Sequence, residues 1–273
     1  MTTSSIEKGV PPKRAMVVFA HPDDADVAVS GTVAKWAKAG CEVTYVLLTS
    51  GDKGSDNPRM TSPRIAKIRE AEQKTAGKIL GLKNVVFLRY KDAELLPFDL
   101  KMRHDIVAEI RRYKPDALFC QDPTNRHGAG GGRGINHPDH IAAGEATLAA
   151  VFPSARDRLT FPDLLVQGLK PHKVSDVFLM MTRDPDYFED ISDTVDLKVQ
   201  ALKAHKSQFG ENAGARWKQM AENLGKQHDM KYAEGFRWIK LDRPFVQPAA
   251  QDSPYAVGKK QAIESGEPVS ARR

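Results

Sequence analysis

The amino-acid sequence predicts an α/β fold built on a doubly wound, Rossmann-like, mostly parallel sheet with helices on both faces. Up to residue 150, short apolar segments rich in β-branched and aromatic residues alternate with amphipathic segments. This alternation is typical of parallel strands joined by helices. The chain has 273 residues, of which 41% are hydrophobic, and is therefore long enough to bury one large core.

The first half of the chain contains four predicted strands. Each is a short run that is apolar along most of its length, as expected for a strand buried on both faces of a sheet. The four strands are "AMVVFA" (15–20), "EVTYVLLT" (42–49), "NVVFLRY" (84–90) and "DALFCQ" (116–121).

Four helices are predicted between and after these strands, at 29–39, 62–80, 98–113 and 138–151. Glycines follow the first two helices directly, and glycine commonly ends a helix because it adopts the left-handed conformation. The third helix ends in the densest basic group of the chain, Arg111, Arg112 and Lys114. Cations are favourable at a helix C-terminus, so we interpret this group as a solvated helix end and not as a nucleic-acid patch.

The pattern loosens after residue 151. A further strand is predicted at 175–181, followed by helices at 194–209 and 212–230. We expect one domain over 1–246, with its sheet core at about 15–181 and a C-terminal helical and strand extension at about 182–246. Residues 247–273 are poor in large apolar groups and predict a flexible tail.

Composition excludes several classes of protein. The net charge of +6 is spread along the chain, which argues against a nucleic-acid partner. The two cysteines, Cys41 and Cys120, lack CxxC spacing and predict buried thiols. The apolar run 15–20 is too short for a signal peptide, and no window approaches the roughly 20 apolar residues of a membrane span. We therefore expect a cytoplasmic protein.

Polar loops follow three of the predicted strands, at 21–26, 50–60 and 122–137. In open α/β sheets, ligands bind outside the carboxyl ends of the strands, where the strand order reverses. With the usual order 3-2-1-4-5, the first and fourth strands are neighbours at that point. Their loops carry "HPDD" and "HPDH", which we therefore expect to meet.

The two motifs together predict a metal site. Carboxylates this close repel one another when ionised, and a divalent cation would stabilise them. Imidazole plus carboxylate suits zinc, although iron and cobalt share these ligands. Asp23 and Asp24 are adjacent and tend to point apart, so one would bind metal and the other would be free for proton transfer. Either motif alone also fits a helix N-cap, but two at neighbouring strand ends favour the metal.

These residues resemble the LmbE/PIG-L family of zinc-dependent N-acetylglucosaminyl de-N-acetylases. The resemblance covers roughly 15–241. It rests on "AHPDDADVAVSGTVAKWAKAG", "NHPDH", "LTSGDKGS" and "IREAEQKTAGKILGL", together with "YKDAEL", "VDLKVQALKAHKSQF" and "YAEGFRWI". The last three stretches are most similar to members that deacetylate N,N'-diacetylchitobiose and related chitooligosaccharide units.

The resemblance implies a role for each matching residue. His21, Asp24 and His140 would bind one zinc per chain. Asp23 would be the general base that takes a proton from the attacking water and returns it to the leaving amine.

The remaining site residues are also implied by the resemblance. His137 would stabilise the tetrahedral oxyanion, and Asp139 would orient a histidine of the site. Arg69 and Asp92 match positions that face the sugar. Without the resemblance, Arg69 would be assigned to the surface, where it would pair with a neighbouring glutamate.

One departure from the family pattern is visible. Many members carry glutamate directly after HPDD or two positions on, whereas this chain has Ala25 and Asp26 there. Asp26 would support the site with a shorter side chain. The departure concerns a supporting contact and leaves the zinc ligands intact.

The sequence thus predicts a zinc-dependent hydrolase that removes acetyl from an N-acetylglucosamine-type amino sugar, and we expect a homo-oligomer. Two alternatives stay open. One is a zinc hydrolase of another acylated amine or a cyclic amide, and the other is a non-catalytic sugar-binding protein. The second is disfavoured because a binder needs no base such as Asp23.

Two weaker signals have alternative interpretations. The glycine-rich stretch 127–134 lacks a complete G-x-G-x-x-G and is interpreted as a rim or lid, not a phosphate cradle. Trp36 is assigned to the core. Trp217 and Trp238 would either line a sugar site, since aromatic faces suit pyranose rings, or pack in the core, which we favour.

Overall fold

Seven strands pair in one sheet in the computed structural model, which describes residues 10–127, 134–210 and 212–241. The strands are β1 (Arg14–Phe19), β2 (Glu42–Thr49), β3 (Asn84–Tyr90), β4 (Ala117–Gln121), β5 (Asp176–Met180), β6 (Tyr187–Asp190) and β7 (Ala233–Lys240).

Helices connect the strands and cover the sheet. They are α1 (Asp24–Ala28), α2 (Ser30–Lys38), α3 (Ser62–Leu80), α4 (Leu100–Tyr113), α5 (Pro138–Ala149), α6 (Pro162–Val166), α7 (Val195–Ala204) and α8 (Ala213–Lys226). After α5 the chain kinks at Phe152, whose backbone is extended, with φ of −139° and ψ of 123°.

The strand order is β3-β2-β1-β4-β5-β7-β6. β1 to β5 are mutually parallel, whereas β7 runs antiparallel to both β5 and β6. The predicted fold class and the predicted order 3-2-1-4-5 are therefore confirmed. β1 and β4 are neighbours, so the loops that follow them lie at the same edge of the sheet.

The sheet buries both of its faces. Met16 and Val18 of β1 pack into one apolar cluster with α4 and α5. Val17 and Phe19 point the other way and pack with α2, α3 and Trp36, as predicted for that tryptophan. Because alternate residues of a strand point to opposite faces, a strand buried on both faces is apolar throughout.

The predicted helix 29–39 is in fact two helices, since α1 ends and α2 begins on either side of Val29. The Glu234 carboxylate caps the new start: it accepts hydrogen bonds from the backbone N–H of Gly31 at 3.0 Å and of Thr32 at 2.8 Å. A carboxylate at this end also complements the helix dipole. The cap lies about two hundred residues away along the chain, so local sequence could not reveal the break.

The C-terminal extension corrects the ends of two predicted helices. The helix predicted at 194–209 ends at Ala204, and the one predicted at 212–230 ends at Lys226. Strands β6 and β7 were not predicted. The basic group at the end of α4 is also not fully solvated: Arg111 is 1% exposed and donates to backbone carbonyls that include those of Ser154 and Asp157.

Several other expectations can be compared with the described residues. Both cysteines are buried and free, as predicted. Among the helices of the described ranges, none has the length and apolar character needed to cross a membrane. Residues 128–133 of the glycine-rich stretch and the tail 247–273 lie outside the described part of the chain, and the domain boundary at 246 stays a prediction.

Candidate metal centre and active site

The two HPD motifs meet at the carboxyl ends of β1 and β4. Gln121, the last residue of β4, links that strand to the loop after β1. Its side-chain oxygen accepts the N–H of Ala20 at 3.1 Å, and its side-chain nitrogen donates to Asp24 Oδ2 at 3.1 Å. The loop after β4 leads to His137, the N-cap of α5. The first turn of α5 therefore stands opposite α1.

His21, Asp24 and His140, the three predicted ligands, are brought together by this arrangement, with candidate ligand atoms all within 4.8 Å of one another. The Asp24 carboxylate lies between the two rings, with Oδ2 3.4 Å from His21 Nδ1 and Oδ1 3.1 Å from His140 Nε2. Asn136 Oδ1 lies 3.0 Å from the other nitrogen of His140. A hydrogen bond there would leave Nε2 as the nitrogen that faces the site.

The charges around this cluster favour a bound cation. Burial alone would raise the pKa of Asp24, but His140 and His21 hold that pKa well below its usual value. Burial alone would lower the pKa of His21, but Asp139 and Asp24 raise it well above its usual value. The site thus keeps its carboxylate ionised and stabilises positive charge. Two imidazoles and a carboxylate are also a common ligand set for catalytic zinc, so these residues fit the ion.

A second possible ligand group, His21, His137 and Asp139, overlaps the first. Asp139 is already engaged, because its two oxygens accept the backbone N–H groups of Ala93 at 2.7 Å and Leu95 at 3.2 Å. Asp139 Oδ2 also lies 3.2 Å from His21 Nε2. Its contacts are those of a residue that orients a histidine, which favours the first group as the ligand set.

Asp23 is held apart from Asp24 by an unusual backbone conformation. Its φ is 96°, a region that costs a non-glycine residue of order 1–3 kcal/mol and is found mainly at functional sites. The N–H of Asp23 donates to Gln73 Oε1 at 3.0 Å, and its Oδ2 accepts from Arg69 Nη2 at 3.2 Å. Burial raises the pKa of Asp23 to about 7, with a contribution from Asp24, whereas Arg69 lowers it.

Arg69 is 5% exposed and does not pair with a surface glutamate. Besides Asp23, its guanidinium donates to the carbonyls of Pro22 at 2.7 Å and Gly51 at 3.1 Å. The glycines of the loop after β2 make room for it, because a Cβ at Gly51 or Gly54 would lie 2.2 or 2.4 Å from Nη1. The default assignment to the surface is therefore wrong, and a contact with sugar stays a prediction.

Asp92 lies behind His21, with Oδ1 3.1 Å from His21 Nε2. It is 5% exposed, and its Oδ2 accepts the N–H of Lys53 at 3.0 Å. Burial opposes ionisation, but His21 lowers the pKa of Asp92 to about 2. In these contacts Asp92 faces a histidine of the site, and the predicted sugar contact stays a prediction.

His137 lies beside the cluster, with its ring 4.7 Å from that of His21 in an edge-to-face arrangement. Its Nδ1 accepts the N–H of Asp139 at 3.2 Å, which assigns its proton to Nε2. Burial and the neighbouring His21 lower the pKa of His137. His137 is therefore a neutral imidazole that offers one N–H donor.

A buried polar network behind Asp23 was only partly predicted. Asp26 supports the site, as expected: its Oδ2 lies 2.6 Å from His205 Nε2 and accepts from Gln73 Nε2 at 2.8 Å. His205 is completely buried. Burial alone would lower its pKa, but Asp26 raises it. The link that Gln73 makes between Asp26 and the backbone of Asp23 was not predicted, because it forms only when α3 packs on α1.

A cavity of about 690 Å³ adjoins this site at His140. It extends from α1 past the segment after β5 to α8, where Trp217 lines it. Trp238 differs: its ring stacks on Phe178 with centroids 5.7 Å apart, and its Nε1 donates to Asp176 at 2.9 Å. The prediction of core packing is therefore confirmed for Trp238 and wrong for Trp217, which lines the cavity.

The family model described as PIG-L, GlcNAc-PI de-N-acetylase, matches residues 16–151. This segment begins within β1 and includes β2 to β4 and all of α5. It therefore includes the three candidate metal ligands, His21, Asp24 and His140, together with Asp23.

Individual proteins match over a longer part of the chain. A diacetylchitobiose deacetylase from Thermococcus kodakarensis is 32% identical over 83% of each chain. A probable N-acetyl-alpha-D-glucosaminyl L-malate deacetylase 2 from Bacillus anthracis is 26% identical, covering 86% of this chain and 96% of its own. The solved structure of N,N'-diacetylchitobiose deacetylase from Pyrococcus horikoshii with its inhibitor matches with a TM-score of 0.75 and 30% identity, over 86% of this chain and 88% of that one.

Proposed function

Because the chain belongs to the PIG-L family of GlcNAc-type deacetylases, we propose that it is a zinc-dependent hydrolase that removes the acetyl group from an N-acetylglucosamine-type amino sugar. The observation that carries the proposal is the meeting of His21, Asp24 and His140 within 4.8 Å, with the separate carboxylate of Asp23 beside them. Ligands plus an independent base are what metal-assisted amide hydrolysis requires.

In this proposal His21, Asp24 and His140 hold one zinc ion per chain. When bound, the ion would polarise the acyl oxygen and make a water molecule more acidic. Asp92 and Asp139 both contact His21 Nε2. They keep its proton on that nitrogen and its Nδ1 lone pair directed at the ligand position, and such outer contacts strengthen and orient a ligating histidine.

Asp23 moves the proton. It takes one proton from the attacking water and gives it to the nitrogen of the departing amine, so that it ends the cycle in its starting state. Arg69 fixes one carboxylate oxygen, and Gln73 fixes the backbone. The base is thereby held in one orientation outside the ligand set, as proton transfer within hydrogen-bond reach requires.

His137 supplies the hydrogen bond to the oxyanion. Its Nδ1 is occupied by the backbone of Asp139, so the N–H at Nε2 is the group available to the negative oxygen that develops on the acyl carbon. One such donor commonly contributes about 10²–10³ in kcat. The leaving group is the amine of the sugar. We propose N,N'-diacetylchitobiose or a related N-acetylglucosamine conjugate as the substrate.

The experiment compares three variants by zinc content and by acetate release from N-acetylglucosamine and N,N'-diacetylchitobiose. Asp24→Ala is expected to lose bound zinc and activity together. Asp23→Asn is expected to keep zinc and lose turnover. Asp193→Asn, an exposed carboxylate in the loop before α7, is the matched control and should behave like the parent. Full activity of Asp23→Asn would refute the base assignment, and no acetate from either sugar would refute the substrate class.

A further inference from the structure

The cavity beside His140 is not used by the proposed chemistry. Its inner end is formed by His140 and Asn136, and its outer wall is formed by Trp217 and Met220 of α8. The volume of about 690 Å³ lies within the 300–1,000 Å³ usual for ligand pockets. An acetyl methyl group would fill only a small part of this space.

The surfaces of the cavity are mixed in character. Trp217, Met220 and Leu224 provide an apolar wall, and Thr182 provides a hydroxyl group. Asn136 also lines the cavity, but its side chain is engaged by Asn125 and His137. Two buried charged residues also line it, Lys198 and Glu234, but they pair with each other at 2.6 Å. The buried charges are therefore already balanced, and the cavity offers apolar contact, the hydroxyl of Thr182 and, at its exposed side, the guanidinium of Arg183.

This combination matches a pyranose ring. A sugar ring has an apolar face of C–H groups and a rim of hydroxyls, so it packs on an indole and hydrogen-bonds at its edge. A long acyl chain would instead be expected to occupy a channel without polar edges. His140 both lines the cavity and belongs to the candidate metal site, so a ring in the cavity would lie beside the acetamido group of the same substrate.

We propose that this cavity is the subsite for the sugar ring next to the acetamido sugar that is hydrolysed, with Trp217 as the surface on which that ring packs. The inference rests on the proposed function and extends it. The enzyme therefore takes a glycoside of at least two rings in preference to the monosaccharide. The preference comes from binding the second ring, not from the chemical step.

Steady-state kinetics test the subsite with N-acetylglucosamine and N,N'-diacetylchitobiose. An aromatic contact is worth about 0.5–1.5 kcal/mol beyond area burial, which corresponds to a change of about 2- to 10-fold in KM. Trp217→Ala is expected to raise KM for the disaccharide by that factor and to leave its kcat, and both constants for the monosaccharide, within about twofold. Trp217→Phe keeps a ring and should restore most of the loss.

Gln219→Ala is the matched control, because Gln219 lies on the exposed part of α8 and bonds within that helix to Asn223. It should leave both substrates unaffected. Equal effects of Trp217→Ala on the two sugars, or no effect on either, would overturn the subsite. So would an effect that follows the length of the N-acyl group in a series from N-acetyl to N-butyryl glucosamine, since the cavity would then hold the acyl chain.

A binding measurement separates this inference from the proposed function. Titration of the intact protein with N,N'-diacetylchitobiose should change tryptophan fluorescence in a saturable way, and Trp217→Phe should remove most of that change. If the intact protein releases no acetate but its tryptophan fluorescence changes on titration, the proposed reaction fails and the subsite stands. If acetate is released and the signal is absent, the reaction stands and the subsite is wrong.

Discussion

Replacing Gln73 with leucine tests whether the base is held in place from behind. Gln73 is completely buried. Its Oε1 accepts the N–H of Asp23 at 3.0 Å, and its Nε2 donates to Asp26 Oδ2 at 2.8 Å. Asp23 has a φ of 96°, which costs of order 1–3 kcal/mol and persists only where surrounding contacts enforce it. Gln73 is one of those contacts.

The size of the effect follows from the bonds that are lost. Leucine is of similar size but cannot form hydrogen bonds. The variant therefore loses one hydrogen bond between neutral groups, to the Asp23 N–H, and one to the carboxylate of Asp26. The first kind contributes about 0.5–1.5 kcal/mol and the second about 1.5–3 kcal/mol. Asp26 keeps His205 as a partner, whereas the Asp23 N–H loses its acceptor. We expect Gln73→Leu to lower the free energy of unfolding by about 2–4 kcal/mol.

Activity should fall more selectively than metal binding. The ligands His21, Asp24 and His140 make no hydrogen bond to Gln73 among the described contacts, so zinc content should stay near that of the parent. The kcat for acetate release should fall about tenfold if, without Gln73, a displaced position of Asp23 becomes about 1.4 kcal/mol more favourable than the productive one. The assays are urea unfolding, metal analysis and steady-state kinetics, with the exposed Thr75→Ala on the same helix as control.

Two results would contradict this reasoning. If Gln73→Leu keeps both its unfolding free energy and its kcat, the conformation of Asp23 needs no support from α3. If zinc content falls in parallel with kcat, Gln73 supports the whole centre and not the base alone.

Three further changes have calculable effects. A Cβ at Gly144 would lie 2.3 Å from the carbonyl oxygen of Gln121; Gly144→Ala should therefore push α5 off β4 and lower both the melting temperature and zinc content. Arg111 is a buried cation bonded to several backbone carbonyls, and Arg111→Met should cost about 3 kcal/mol or more in equilibrium unfolding. Burial alone would lower the pKa of His104, but Asp163 raises it; the stability from this pair is present below about pH 6.5 and lost as pH rises through the raised pKa. The melting temperature of His104→Gln should thus fall further below that of the parent at pH 6 than at pH 9.

The central strands and the meeting of the three candidate ligands were predictable because their signals are local. A strand buried on both faces is apolar throughout, as in β1 and β2, and a ligand-rich loop after such a strand marks the binding edge of the sheet. Both HPD motifs occupy that position. β6 was missed because it has four residues, of which two are buried. Its neighbour β7 is buried mainly in its first half, where one of the buried residues is Glu234, so neither strand has the apolar run that marks β1.

The contacts behind the site were not predictable, since each depends on residues far apart in the chain. His205 and Asp26 are separated by 179 positions, and a histidine at the end of a helix carries no sign of a buried partner. Arg69 lies on an amphipathic helix, where arginine is normally solvated. Its enclosure becomes visible only in the folded structure, where Gly51 and Gly54 pack against its guanidinium.

The carboxylates around "HPDD" can be sorted by the nitrogen of His21 that each one faces. Asp92 Oδ1 and Asp139 Oδ2 lie 3.1 and 3.2 Å from Nε2, and Asp24 Oδ2 lies 3.4 Å from Nδ1. As a metal ligand, His21 would be a neutral imidazole with one N–H. Two acceptors at Nε2 against one at Nδ1 favour placing that proton on Nε2. The lone pair of Nδ1 then points toward Asp24, on the side where His140 also lies. Asp23 belongs to neither group, because its carboxylate is bonded to Arg69. In the proposed function, two carboxylates therefore set the protonation of one candidate ligand, a third is itself a candidate ligand, and the fourth is left for proton transfer.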